Sequence, residues 1–336
     1  MPPCPMVAAL PLHGGDLAAA ARRFGSPSDG WLDLSTGINP HAYPLPAISP
    51  EAWRRLPGAE AEIGLQMAAA RAYGVADPAR VVVAAGGQAL IQILPRIRRR
   101  GRVRVVWPTY GEHAASWEAA GHQVELGGWA GAGEAADVVV VVNPNNPDGI
   151  CRARDELLAV AEALGPRDGL LVVDEAFADV TPEISLSNVI HPNLVVLRSF
   201  GKFFGLAGLR LGFAIAGSKT AEKLRAAVGL WAVNGPAMAV ATVALNDAGW
   251  IAGMRARLAR EAETLDAMLS RASCTVVGGT SLFRLVRTPE APAVYDRLGH
   301  AGILVRAFTY EPDWLRIGLP ADASGRLRLA RALASG

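Results

Sequence analysis

The stretch SFGKFFGLAGLRLG, residues 199–212, decides the fold prediction. It places Lys202 among aromatic residues and glycines, directly after the apolar run at 194–199. The chain holds 33 Lys and Arg residues together, of which only three are lysines, so the position of Lys202 is informative. A partly desolvated lysine has a lowered pKa, and its amine becomes a nucleophile toward an aldehyde. The alternative is a lysine whose stem packs on apolar surface while its amine reaches water.

Apolar runs on both sides of this stretch predict a sheet. Six of them are rich in β-branched residues: VVVAA (81–85), VRVVW (103–107), DVVVVV (137–142), LLVVD (170–174), LVVLRS (194–199) and RLGFAIA (210–216). Continuous runs of this kind predict strands that are buried on both faces. Helical patterns alternate with them, near 61–73, 88–99, 111–120, 154–164 and 219–230. Such alternation predicts an α/β fold with a mostly parallel sheet.

The pattern of predicted helices and strands changes after about residue 236. A long amphipathic helix is predicted over 236–271, followed by two short strands, a helix, more short strands and a last helix. This pattern predicts a smaller α+β domain. We therefore expect a large domain at 46–232, with an N-terminal arm at 1–45 and a small domain at 233–336.

Composition excludes several classes of partner. The chain has 336 residues, 51% of them hydrophobic, and a formal net charge of +2, which gives no electrostatic case for nucleic acid or an anionic membrane. Cys4, Cys151 and Cys274 lie far apart and form no metal-binding spacing. No apolar run reaches the ~18 residues of a membrane span, and the N-terminus lacks a basic region typical of a signal peptide. We expect a cytoplasmic protein without a metal site.

Special residues follow five of the predicted strands. They are Ala-Gly-Gly-Gln (85–88), Pro-Thr-Tyr (108–110), Asn-Pro-Asn-Asn-Pro-Asp-Gly (143–149), Asp-Glu-Ala-Phe (174–177) and Ser-Phe-Gly-Lys (199–202). Ligands of open parallel sheets bind at the carboxyl ends of the strands. We therefore expect these segments to form one site.

Three of these residues suit a flat, charged heterocycle. Asp174 could keep a pyridinium nitrogen protonated, although an Asp after a strand is equally a helix cap. Asn146 could donate to a phenolate oxygen, although its surroundings also favour an ordinary turn. Tyr110 could stack on the ring, although a lone aromatic residue is more often part of a core.

A second group of residues suits a phosphate. Gly86, Gly87 and Gln88 precede a predicted helix, whose first backbone N–H groups favour anions, although such turns also occur without a ligand. The hydroxyl of Ser199 and the guanidinium of Arg210 could bind the same phosphate.

Together, SFGK…GLAGLRLG, NPNNPDG and DEAF resemble the fold-type-I enzymes that use pyridoxal 5′-phosphate (PLP), particularly the histidinol-phosphate aminotransferase branch. The resemblance covers nearly the whole chain and implies the aspartate-aminotransferase fold. It implies that Lys202 binds PLP as a Schiff base, Asp174 pairs with the pyridinium nitrogen, Asn146 faces the phenolate oxygen and Tyr110 stacks on the ring. The phosphate cup would then contain Gly86, Gly87, Gln88, Ser199 and Arg210. Arg316, in WLRIGLP, resembles the arginine that binds the substrate carboxylate.

Within that branch, three segments are more similar to the threonine-phosphate decarboxylases of cobalamin biosynthesis: LHGGD (12–16), WLDLSTGINP (31–40) and GILVRAF (302–308). This likeness implies that His13, Gly14 and Asn39 contact the substrate and that Arg306 adds a cation. Loop capping is the alternative for His13 and Asn39. The implied reaction, that of a carbon–carbon lyase, converts L-threonine O-3-phosphate to (R)-1-amino-2-propanol O-2-phosphate. A homodimer is implied by the same family.

The chain departs from the family pattern at three positions. Phe177 and Leu56 stand where relatives often have tyrosine, and Gly201 stands where many have serine. Two other functions stay open at this point, an aminotransferase that needs 2-oxoglutarate and a non-catalytic scaffold. The choice between phosphothreonine and phosphoserine is also open, because one methyl group discriminates by only ~1–3 kcal/mol.

Overall fold

The structure, a computed structural model, describes residues 14–334. These residues form two compact units. The large unit is His41–Arg255, and the small unit contains residues 14–40 and 256–334. The domain boundaries expected from sequence, at 45/46 and 232/233, both lie inside the large unit.

Helices and strands alternate along the described chain. The helices are α1 (Leu17–Phe24), α2 (Pro50–Arg54), α3 (Ala59–Ala72), α4 (Gly87–Ile93), α5 (Glu112–Ala119), α6 (Arg154–Leu164), α7 (Phe200–Phe203), α8 (Ser218–Val228), α9 (Gly235–Asn246), α10 (Ala248–Arg271), α11 (Ala291–His300) and α12 (Ala323–Ala334). The strands are β1 (Leu32–Asp33), β2 (Val81–Ala84), β3 (Arg102–Val106), β4 (Gln123–Gly127), β5 (Val138–Val142), β6 (Leu170–Asp174), β7 (Leu194–Ser199), β8 (Gly212–Ala216), β9 (Thr275–Thr280), β10 (Phe283–Arg287), β11 (Ile303–Leu304), β12 (Arg306–Ala307) and β13 (Trp314–Gly318).

The large unit is built on a seven-stranded sheet in the order β2-β8-β7-β6-β5-β3-β4. Strands β4, β3, β5, β6 and β7 run parallel, while β8 is antiparallel to both of its neighbours. Every residue of β5 and β6 is buried, as expected for strands covered on both faces. The predicted fold class is confirmed: this is an α/β unit whose sheet is mostly parallel.

Two details of the large unit differ from the sequence prediction. The helix expected over 236–271 is two helices, α9 and α10, which meet at an angle of 79°. Asp247 breaks it, because its backbone leaves the helix and its carboxylate accepts a hydrogen bond from the N–H of Trp250, which caps the start of α10. Strand β4 was not expected; it pairs with β3 at the edge of the sheet and is largely exposed.

The small unit contains an antiparallel sheet in the order β12-β13-β10-β9 and a parallel pair, β1 and β11. In the antiparallel sheet, Arg306 of β12 lies directly opposite Arg316 of β13. Cross-strand partners share one face of a sheet, so these two guanidinium groups are neighbours.

No single helix in the described range is long and apolar enough to cross a membrane; α9 and α10 meet that criterion only as a sharply bent pair.

Candidate active site

A cavity of about 200 Å³ opens at the carboxyl ends of the parallel strands. Its lining contains eight of the residues singled out in the sequence: Gly87, Gln88, Tyr110, Asn146, Asp174, Ser199, Lys202 and Arg210. Seven of them come from five separate strand ends, as the sequence predicts, and Arg210 lies just before the start of β8. The parallel sheet therefore brings the special segments of the large unit into one place.

Asp174 is the last residue of β6 and is only 6% exposed. One carboxylate oxygen accepts a hydrogen bond from the N–H of Ala176 at 3.0 Å. The other lies 2.8 Å from Nε2 of His113, a fully buried residue of α5. An ionised carboxylate offers about four acceptor positions, so these two contacts leave room for a further cationic donor. His113 also fixes the direction in which the carboxylate faces.

Lys202 lies in α7 and is half-buried. Its amine stands 5.6 Å from the ring centroid of Phe177, which is 3% exposed. Where relatives often have a tyrosine hydroxyl, this chain therefore presents an aromatic face toward the lysine. A distance of this size is within the range of a cation–π contact.

The neighbour of Lys202, Gly201, is required by packing. A Cβ atom at Gly201 would lie 2.6 Å from the Cα of Ala207, which is backbone and cannot move aside cheaply. A serine, common at this position in relatives, does not fit here. Ser199, whose hydroxyl is expected to bind the phosphate, does line the cavity.

Arg210 adopts a left-handed backbone conformation, with φ of 53°, just before β8. Its Nη1 donates to the carbonyl of Ala207, and its Nη2 would lie 2.7 Å from a Cβ atom at Gly86. The N–H of Gly86 is already bonded to the carbonyl of Ala84. Gly86 therefore provides space for the guanidinium, whereas Gly87 and Gln88, at the start of α4, line the cavity itself.

Tyr110 lines the cavity with its ring, which makes an edge contact with the ring of His113 at 6.2 Å. Its hydroxyl donates to the side-chain oxygen of Gln88 at 3.2 Å. Burial raises the pKa of Tyr110 to about 12, and the negative charges of Glu112 and Asp174 contribute to the increase. Tyr110 is therefore a neutral hydrogen-bond donor at physiological pH.

The loop around Asn146 is held by its neighbour. Asn145 donates from its side chain to the carbonyl of Pro108 and to the carboxylate of Asp148, and it accepts from Thr109. Asn145 thus accounts for the turn, while Asn146 lines the cavity.

A buried ionic cluster lies beside the cavity. Arg198, which also lines it, donates to Glu175 at 2.8 Å and to Asp179 at 2.6 Å, and its guanidinium lies over the ring of Tyr73. All three charged residues are less than 5% exposed. Because a buried charge of this kind must be paired, Arg198 is a structural arginine rather than a free cation for a ligand.

The small unit holds a second group of the predicted residues. Arg316 is 6% exposed, and its guanidinium donates to the backbone carbonyl of Ser35 and lies over the ring of Phe283. Burial lowers the pKa of Arg316 to about 10, and the positive charge of Arg306 acts in the same direction. Two neighbouring desolvated cations are stabilised when an anion binds between them.

Gly14 and Asn39 belong to the same unit. A Cβ atom at Gly14 would lie 2.4 Å from the carbonyl oxygen of Ser35, so this glycine packs directly on the segment that contacts Arg316. The N–H of the next residue, Gly15, donates to the hydroxyl of Ser35 at 2.8 Å. Asn39 is 2% exposed. His13 lies outside the described residues.

Sequence reasoning missed two residues of α5, Glu112 and His113. His113 contacts Asp174 through space, across 61 positions of the chain. The available signal was weak: a histidine and a glutamate at the start of a helix, immediately after the strand end that bears Tyr110.

Comparisons with known proteins identify the family. A model of the class I and II aminotransferases matches residues 50–333. The chain belongs to this family. It is 47% identical to a threonine-phosphate decarboxylase of Pseudomonas aeruginosa, over 96% of both chains. It is 44% identical to another from a Sinorhizobium species, over 96% of this chain and 97% of the relative.

A solved structure of the family has the same fold. The histidinol-phosphate aminotransferase of Sinorhizobium meliloti, in complex with PLP, superposes with a TM-score of 0.81 at 24% identity. The match covers 99% of this chain and 96% of the other.

The cavity residues of this family member fit PLP, its cofactor. A lysine amine suits the aldehyde, a buried carboxylate suits the pyridinium nitrogen, and a phenol ring suits the flat heterocycle. A guanidinium and a hydroxyl suit the phosphate, and the missing Cβ of Gly86 leaves space for that guanidinium.

Proposed function

We propose that this protein is a PLP-dependent threonine-phosphate decarboxylase of cobalamin biosynthesis. It converts L-threonine O-3-phosphate to CO2 and (R)-1-amino-2-propanol O-2-phosphate. The observation that carries the proposal is the 44% and 47% identity to two threonine-phosphate decarboxylases over nearly their whole length. The cavity supports it with side chains that suit the aldehyde, the pyridinium nitrogen, the ring and the phosphate of the cofactor.

We assign the roles of the cofactor residues from the family resemblance, and their positions in the lining of the cavity support the assignment. Lys202 would hold the aldehyde carbon of PLP until the substrate amine displaces it, and Asp174, held by His113, would pair with the pyridinium nitrogen and favour its protonated form. Tyr110 would stack on the ring, and Asn146 would donate to the phenolate oxygen. The phosphate is assigned to the N–H groups of Gly87 and Gln88 and to the side chains of Ser199 and Arg210. Gly86 contributes space.

PLP, when bound, would supply an electron sink for the bond that breaks at the substrate α-carbon. The protein decides which bond that is. Arg316 is assigned to the substrate carboxylate and Arg306 to a second anionic group, with Gly14, Asn39 and His13 completing the substrate contacts. Binding energy at these groups, remote from the reacting bond, fixes the orientation of the substrate. After CO2 has left, Nζ of Lys202 returns a proton to the α-carbon.

An exposed apolar surface on the large unit supports a homodimer. Trp53 and Leu56 are each 67% exposed, Leu230 is 80% exposed and Trp231 is 56% exposed. Soluble monomers rarely leave such large side chains together in water.

This surface lies next to the proposed phosphate site. A Cβ atom at Gly235 would lie 2.4 Å from the carbonyl of Ala52, so the start of α9 abuts α2. The side chain of Asn234 donates to the carbonyl of Leu209, directly before Arg210. We therefore place the contact with the second copy of the chain on this surface. The cytoplasmic location stays a prediction.

The test is an assay of the PLP-loaded protein with L-threonine O-3-phosphate, with and without 2-oxoglutarate. We expect CO2 and aminopropanol phosphate without any oxo-acid. Glutamate formed from 2-oxoglutarate in place of CO2 would favour an aminotransferase and reject the proposal. For the dimer, light scattering of the Trp53→Glu variant should give a lower mass than that of the wild type.

A further inference from the structure

Glu112, the first residue of α5, is linked to the cofactor cavity through Gln88. The side-chain nitrogen of Gln88 donates to a carboxylate oxygen of Glu112 at 2.8 Å. The side-chain oxygen of Gln88 accepts from the hydroxyl of Tyr110 at 3.2 Å. Both ends of the Gln88 carboxamide are therefore engaged within the protein.

The carboxylate sets the direction of this chain of hydrogen bonds. An ionised Glu112 can only accept, so it must face the NH2 group of Gln88. The oxygen of Gln88 is then turned toward Tyr110, and the Tyr110 hydroxyl has to be the donor. Without the carboxylate, the carboxamide could rotate by half a turn and present its NH2 group to Tyr110 instead.

The consequence for the site concerns the ring of Tyr110. Gln88 holds the hydroxyl end of this ring, and the ring of His113 contacts it at 6.2 Å. Glu112, Asp174 and Arg210 are the charged groups that act on the Tyr110 hydroxyl, and the two carboxylates favour the neutral form that the donor role requires. The hydrogen bond from Tyr110 to Gln88 and the contact with the ring of His113 thus hold the Tyr110 ring from two sides, and the two carboxylates keep its hydroxyl protonated.

We propose that Glu112 and the side chain of Gln88 are positioning residues, which hold the Tyr110 ring in place against PLP. The inference rests on the proposed function, because it needs a cofactor against which the ring is held. It also means that Gln88 serves the phosphate only through its backbone N–H. A merely structural Glu112 would interact with the N-terminus of its own helix, as acidic residues in a first turn commonly do.

The test compares Glu112→Ala, Glu112→Gln and a control on the same helix, Glu118→Ala, which removes an exposed carboxylate. Titration of Tyr110 in the apoprotein, by NMR of 13C-labelled tyrosine with Tyr110→Phe for assignment, reports the Glu112 charge. Equilibrium dialysis measures the affinity for PLP, which should fall when the Tyr110 ring is no longer held in place.

We expect Glu112→Ala to lower the pKa of Tyr110 and to weaken PLP binding by roughly three- to tenfold, the usual worth of one hydrogen bond. Glu112→Gln keeps an acceptor for the Gln88 nitrogen but can also donate, so it should lower the pKa of Tyr110 and restore PLP affinity only in part. Glu118→Ala should change neither. The inference is overturned if Glu112→Ala binds PLP as tightly as Glu118→Ala, whatever happens to the pKa of Tyr110.

Failure of the proposed function has a different signature. A wild-type protein that binds PLP but releases no CO2 would reject the decarboxylase, while the same pattern of variant effects would still support the role of Glu112.

Discussion

Replacing His113 with phenylalanine tests how the site holds Asp174. Phenylalanine keeps a ring for the edge contact with Tyr110 but removes the nitrogen that lies 2.8 Å from the Asp174 carboxylate. A hydrogen bond to a charged group contributes about 1.5–3 kcal/mol. Since each 1.4 kcal/mol is a factor of ten, we expect PLP affinity or kcat to fall by about 10- to 150-fold.

The matched control is His122→Phe. His122 is also buried, at 6% exposure, and its Nε2 lies 3.0 Å from the carbonyl of Pro95, away from the cofactor cavity. His113→Phe loses the hydrogen bond to Asp174, whereas His122→Phe loses two, because Nδ1 of His122 also accepts from the N–H of Gly101 at 3.3 Å. Urea unfolding of the apoproteins should therefore show at least as large a loss of stability for His122→Phe as for His113→Phe. PLP affinity, from equilibrium dialysis, and kcat, from CO2 release, should fall only in His113→Phe. Values within twofold of those of His122→Phe would refute the role assigned to His113.

Three further expectations follow from the geometry. Gly201→Ser should destabilise the protein by about 1–3 kcal/mol through overpacking against the following turn, whereas Gly208→Ser, where the added atom meets nothing, should unfold at the wild-type urea concentration. Inorganic phosphate at a hundred times its Kd should stabilise the apoprotein by about 2.7 kcal/mol for each site that it fills, and Arg316→Ala should reduce this stabilisation without abolishing it, because the phosphate site at Arg210 remains; an unchanged response would remove the anion site from Arg316. The raised pKa of Tyr110 stabilises the fold below pH 10 and this contribution is lost toward pH 12, so the wild type should lose stability over that interval more steeply than Tyr110→Phe.

Much of the fold could be predicted because the central strands are continuous apolar runs. VVVVV at 138–142 and LLVVD at 170–174 are continuous apolar runs, and only a strand buried on both faces suits them. The convergence of Asp174, Asn146 and Lys202 then follows, because parallel strands end at the same edge.

The elements that were missed carry weaker patterns. Strand β4, QVELG at 123–127, is a half-exposed edge strand with little apolar content. The bend between α9 and α10 depends on one side-chain cap at Asp247, within a sequence that is otherwise helical throughout. Periodicity averages over such a single residue and cannot detect it.

The site residues that were missed act through space. His113 matters only because folding brings it to Asp174, and Glu112 only because it meets Gln88. Residue type also left the role of Gly86 open. Gly86 could have donated its N–H to the phosphate or simply left space for a neighbour. In the structure its N–H is already bonded to Ala84, and the Arg210 guanidinium lies where a Cβ atom would clash, so Gly86 provides space.

The most direct test of the account is CO2 release from L-threonine O-3-phosphate by the PLP-loaded wild type and by Lys202→Ala, without an oxo-acid. We expect stoichiometric CO2 and aminopropanol phosphate from the wild type and none from a folded Lys202→Ala protein. CO2 release that survives the loss of Lys202, or wild-type turnover that requires 2-oxoglutarate, would contradict it.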